Sequence, residues 1–173
     1  MASYYYLIAS LPMLSADQPM PFSYSTFLEM CQGNVSEDSY RLLSELTLKS
    51  KDGPLVDEWH SFYSSLMAEL GTQRSARLGK PYSTEADRDP ISAAQVSAAM
   101  SAQDPLAAER LLLNYEMDTL DSLVGLHDFD DHALFGYALK LKLLERFESF
   151  GPEDGKQEFS NILGSLQRQV TSL

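Results

Sequence analysis

Six consecutive residues, His127-Asp128-Phe129-Asp130-Asp131-His132, crowd two imidazoles and three carboxylates into one short stretch, the donor types that hold zinc, manganese or iron. Their spacing is not that of two ligands four apart on one helix. The acidic pair Asp130-Asp131 also stands where a helix N-cap is wanted, so an acidic cap ahead of an ordinary first turn takes precedence over a metal site. No metal or other cofactor is therefore expected. His60 is far away in sequence and joins only if folding recruits it.

Other chemistry is sparse. Cys31 is the single cysteine, with no local signature of a base or an electropositive pocket, so it reads as a small buried hydrophobe rather than a nucleophile. Neither the hydrolase elbow G-x-S-x-G nor the phosphate cradles G-x-x-x-x-G-K-[ST] and G-x-G-x-x-G occur, and nucleotide binding is not expected. Carboxylate pairs abound in a chain with 25 Asp and Glu against 13 Lys and Arg. Nothing in their order selects an acid and a base. The net charge of -12 repels nucleic acid and anionic lipid, which leaves a basic partner or none.

Arg74 and Arg77 carry the sharper hypothesis. Leu55, Trp59, Phe62, Tyr63, Leu66, Met67 and Leu70 recur at steps of three and four, and the two arginines continue that helical stripe. A face that turns from aromatic to doubly cationic can grip carboxylates of a partner or of the chain itself. The competing account frays the helix at Gly71 and lets both side chains snorkel into water.

The elements that position these residues are mostly helical, which predicts an all-α multi-helix bundle, with two helical subdomains as one arrangement. Tyr4 to Leu11 is a short apolar element, helix or strand, stopped at Pro12. Ser23 caps a helix carrying Phe27, Leu28 and Cys31, and Ser36 caps another with Glu37 and Asp38 in its first turn. Pro54 opens the tryptophan-bearing helix. Asp104-Pro105 starts a helix lined by Leu106, Leu113, Met117, Leu120 and Val124, and Asp130 or Asp131 starts one that runs to about Phe150. Apolar residues of that second helix, Tyr137 and Phe150 among them, surround it, so it is central to the fold or shared with a partner. Phe159, Ile162, Leu163, Leu166 and Val170 mark a last, one-faced helix.

Three regions follow. Residues 1–80 form an N-terminal helical part, 81–104 a Pro/Ser/Ala-rich linker with at most one or two weak amphipathic turns, and 105–173 a C-terminal helical part. With one cysteine, no basic leader and no run of about 18 apolar residues, the chain is expected in the cytoplasm, without direct membrane insertion.

The opening Tyr-Tyr-Tyr-Leu-Ile-Ala-Ser-Leu-Pro-Met-Leu, the segment Phe22-Ser23-Tyr24 leading to Phe27-Leu28, and the block from Tyr137 to Phe147 resemble a bacterial family of unassigned function encoded beside V-type ATPase subunits. In that setting the chain looks like a shortened relative of the C-type funnel protein of the V-type ATPase, the all-helical part that couples central stalk to membrane rotor ring. Leu112-Leu113-Asn114-Tyr115-Glu116-Met117 is similar to the Asn-bearing helix of that funnel. The resemblance implies a non-catalytic adapter between central stalk and membrane rotor ring in a proton- or sodium-transporting machine, peripheral to the membrane through its partners. Arg74, Arg77, Tyr137 and Phe150 are then the partner-binding candidates. Two other classes stand beside it: an independent helical interaction or regulatory module, and a metal-dependent enzyme centred on His127 and His132.

Overall fold

The computed structural model describes residues 4–80 and 89–150. Among them are seven helices and no strand: α1 Tyr5–Ser10, α2 Tyr24–Cys31, α3 Glu37–Ser44, α4 Val56–Arg77, α5 Pro90–Met100, α6 Pro105–Val124 and α7 Asp131–Glu148. The Phe159 to Val170 pattern and residues 81–88 lie outside the described residues.

Most helices begin at the residue whose side chain caps them. Ser23 and Ser36 accept from the backbone N–H three residues on, Thr26 and Ser39. Asp104 does the same for Ala107 at 2.8 Å, with Pro105 supplying the first helical φ. Asp130, not Asp131, caps α7 through Ala133 at 3.2 Å. The α4 helix starts differently. It opens at Val56, two residues after Pro54, which lies in the preceding turn rather than at the first helical position, because Leu55 is not helical but sits at the N-cap with φ 67°. A leucine in the left-handed region costs about 1–2 kcal/mol, and the burial of its side chain in the core holds it there.

α7 is the centre of the main core. Leu134, Phe135, Ala138, Leu139, Leu141 and Leu143 have no exposed surface, and α2, α3 and α6 pack against this helix from different sides. Its apolar residues surround it because it has neighbours on most of its circumference. Residues from both ends of the described chain, Tyr4 to Leu144, join that single cluster. Trp59 of α4 is fully buried there and donates its indole N–H to the Leu48 carbonyl at 3.1 Å.

A second, smaller cluster unites Leu66 and Leu70 of α4, Val96 and Ala99 of α5 and Leu112 of α6. Here the structure differs from the expected linker: residues 90–100 form an 11-residue helix seated between α4 and α6. Asp89 caps it, accepting from Ile91 and Ser92 N–H, and Pro90 fills its first turn. Its buried face is small residues, Ser92 and Ala99 around Val96, which lets the helix lie close without an apolar stripe. Hydrogen bonds lock it sideways, Ser92 Oγ to Tyr115 Oη at 2.9 Å and Gln73 Nε2 to the Ala93 carbonyl at 3.1 Å. The segment Tyr4 to Leu11, open between helix and strand by propensity, contains helix α1.

Candidate functional site

Two places gather polar or exposed apolar residues. The first is the seam where α4, α6 and α7 meet. Glu116 projects from α6 with no exposed surface, and the Arg146 guanidinium of α7 grips both its oxygens, Nη1 to Oε1 at 3.0 Å and Nη2 to Oε2 at 2.5 Å. Arg146 Nη1 also donates to Tyr63 Oη of α4 at 3.3 Å, so one side chain ties three helices. Burial pushes the Glu116 carboxyl above its ordinary value, against the pull of Arg146 and with a small push from Glu109. Desolvation lowers the Arg146 guanidinium, but the Glu116 carboxylate and the Tyr63 hydroxyl outweigh it and raise the group. Arg146 Nε is buried without an acceptor among the described residues.

Tyr63 and Arg146 form a wall between two clefts. One, of about 590 Å³, opens between the Leu46–Lys49 turn and the end of α7; the other, of about 280 Å³, is rimmed by Arg74, Glu109 and Phe150. Two of the residues expected at an interface, Arg74 and Phe150, thus share a cleft, with Phe150 49 % exposed on its lip. Arg77 and Tyr137 lie elsewhere. Arg77 is exposed at the end of α4, and neither arginine continues a buried stripe, because the buried face of α4 ends at Leu70. Tyr137 is half-buried on α7, its ring 5.6 Å from that of Phe27, and donates its hydroxyl to the Pro12 carbonyl at 3.0 Å. Burial pushes its phenol up to about 12. Cys31 is fully buried and its thiol is pushed up to about 12 by burial, as a packing residue requires.

The second place is the end of the fold where α1 meets the α6–α7 loop. Tyr5 and Phe129 rings approach to 4.6 Å, Tyr6 meets Tyr5 edge-on at 5.5 Å, and the Tyr4 N–H donates to the Phe129 carbonyl at 2.8 Å. Tyr6 is 89 % exposed and Leu126 of the same loop 98 %. Gly125 ends α6 with φ 56°, a left-handed turn that a side chain would strain, and so projects the loop outward. Within the loop, His127 Nδ1 donates to Asp130 Oδ2 and the His127 and His132 rings stack at 4.3 Å. Burial would raise the Asp130 carboxyl, but the His127 hydrogen bond, the Ala133 N–H and the two imidazoles hold it below the usual carboxylate range. Asp131 faces inward, accepting from Tyr4 Oη at 2.9 Å and Ser39 Oγ at 3.0 Å. His60 takes no part: it stands on α4, its Nε2 beside Ser64 Oγ at 3.3 Å.

Glu116 and Arg146 stand 30 residues apart and carried no local signal as a pair. The only hint was a charged residue on the apolar side of α6. No protein-family model, no curated protein and no solved structure matches the chain.

Proposed function

We propose that the protein is a non-catalytic adapter of a V-type ATPase, a helical body that docks between central stalk and rotor ring and makes or breaks no bond itself. The observation that carries docking is the aromatic platform of Tyr5, Tyr6 and Phe129, with Leu126 on the same loop, left open to solvent at one end of the fold. Contiguous exposed apolar groups mark interaction surfaces, and tyrosine and phenylalanine are the anchors interfaces favour. The platform is also stiff. Its loop is bonded through Phe129 to Tyr4, the N-cap of α1, and Asp131 at the start of α7 is bonded to Tyr4 and to Ser39 of α3, so load applied there passes into the core.

The choice of partner is supported by the resemblance, whose opening tyrosines include two of the platform residues. An acidic surface suits a basic face on that partner. Co-purification of the full chain with individually tagged V-type ATPase subunits is the test. Recovery with a stalk or rotor subunit is expected, weakened about tenfold or more when Tyr5, Tyr6 and Leu126 are changed together to Ser. Reversal of Arg74 and Arg77 to Glu probes the other surface, and loss there alone would move docking to the Phe150 cleft. Recovery of no subunit would replace the adapter by an independent helical interaction module.

A further inference from the structure

The α6–α7 loop holds an arrangement that docking does not use. A ring nitrogen of His127, a carboxylate oxygen of Asp130 and a ring nitrogen of His132 all lie within 4.8 Å of one another. Capping α7 occupies only Asp130 Oδ1, through Ala133, and leaves Oδ2 turned to His127. The two imidazoles lie nearly parallel, 14° apart with centroids at 4.3 Å, so one ring turns out of the stack for both nitrogens to face a single ion.

The frame around these donors is built from outside the loop. Tyr4 N–H holds the Phe129 carbonyl, the His127 N–H is held by the Val124 carbonyl at 3.1 Å, and Asp131 is fixed by Tyr4 and Ser39. Ligand sets are held in place by such outer contacts. The positive end of the α7 dipole opposes a cation here, and the Asp128, Asp130 and Asp131 carboxyls at that end offset it. The His127 side chain is 43 % exposed, which gives an ion a way in from solvent.

The geometry points to a binding site for one divalent transition-metal ion of the zinc class, held by His127, Asp130 and His132 with its remaining position open to water. Zinc takes imidazole nitrogen and carboxylate oxygen at about 2.0–2.2 Å, so a tetrahedral set spaces its donors about 3.3–3.5 Å apart. Donors spread over at most 4.8 Å close to that spacing by side-chain rotation of about 1–1.5 Å. The His127–Asp130 contact opens at the same time, the ion replacing the hydrogen the two share. Two imidazoles select zinc, cobalt, nickel or copper over magnesium and calcium, which prefer oxygen alone. Bound there, the ion clips the loop carrying Leu126 and Phe129 to the start of α7. The site stands whether or not the platform docks an ATPase.

Metal-stripped full-length protein is titrated with cobalt(II), read by its visible absorption, and with zinc against a chromophoric chelator. One ion per chain and a rise in thermal midpoint with zinc are expected. His127→Ala and His132→Ala should each weaken binding by about tenfold or more. Asp130→Asn, which keeps an acceptor for the cap, should weaken it as well. His60→Ala removes the chain's only other histidine and should change nothing. Binding no tighter in the natural chain than in the His127→Ala/His132→Ala double variant overturns the site, as does equal loss with His60→Ala. If the variants misfold, X-ray absorption on the cobalt-loaded natural chain decides: two imidazoles in the shell support the site, and none refutes it.

Discussion

Removing Arg146 turns the buried ion pair into a measurement of what Glu116 costs. In an Arg146→Met variant the carboxyl keeps its burial and the nearby Glu109 charge, both of which raise it, and loses the guanidinium that pulls it down. Breaking a buried pair from one side costs about 3–5 kcal/mol while the survivor stays charged. Glu116 has an escape, because it can take up a proton. At pH 7 that costs about 1.4 kcal/mol for each of the roughly 2.7 pH units above an ordinary glutamate value, or about 3.7 kcal/mol in all. At pH 5 it costs about 1 kcal/mol. The sign follows from proton count. With the folded value raised above the unfolded one, the native chain binds more protons between the two, so stability is greatest at low pH and falls as pH rises through that window. Arg146→Met should therefore lose about 3–4 kcal/mol at pH 7 and only about 1 kcal/mol at pH 5. Urea unfolding followed by Trp59, the sole and fully buried tryptophan, reads this directly. The double variant Glu116→Leu/Arg146→Met should return to within about 1 kcal/mol of the natural chain, since apolar replacement of both partners removes the desolvation. A deficit independent of pH, or a double variant as damaged as the single one, refutes the reasoning.

Two further outcomes follow from packing and capping. Gly136 lies where α7 crosses α6, and a Cβ built on it meets Val124 Cγ2 at 2.3 Å, so Gly136→Ala should lose about 1–3 kcal/mol in urea melts despite alanine's better helix propensity; pairing it with Val124→Ala should recover part of the loss. Asp89 is held below the usual carboxylate range chiefly by the Ser92 hydroxyl and N–H, so the cap of α5 is intact above about pH 4 and is lost as pH falls through the lowered value. Amide exchange in α5 should accelerate on acidification, and Asp89→Asn should remove that acid dependence while keeping the helix protected.

What could be read beforehand was what local chemistry controls. Ser23, Ser36 and Asp104 each begin the helix their side chains cap, because an N-cap and its acceptor geometry are set within four residues. Helix α5 escaped for the opposite reason. Its packing relies on Ser92 and Ala99 being small, and small residues leave no apolar period to count. Leu106, expected on the buried face of α6, sits in the helix's first turn and is exposed, whereas Leu112 and Leu113 are buried. The histidine cluster was visible as composition but not as a donor set. Donors at positions 127, 130 and 132 converge only because the chain passes from a pinned loop into a helix between them, and helical spacing cannot express that.

The acidic excess also takes on a different meaning once the helices are in place. Asp89, Asp104 and Asp130 cap helices, while Glu37, Asp38, Asp57, Glu58 and Asp131 occupy first turns, so eight of the 25 carboxylates sit at positive helix ends. Glu116 is matched internally by Arg146. These groups serve the fold, and their charge is partly answered where they stand. The net charge therefore overstates the field at the surface, and for the proposed docking the exposed Tyr6 and Leu126 are a stronger basis than charge alone. In the docking proposed above, a platform fixed to the core by Tyr4 and Asp131 would supply contact area without spending the acidic residues the helices need.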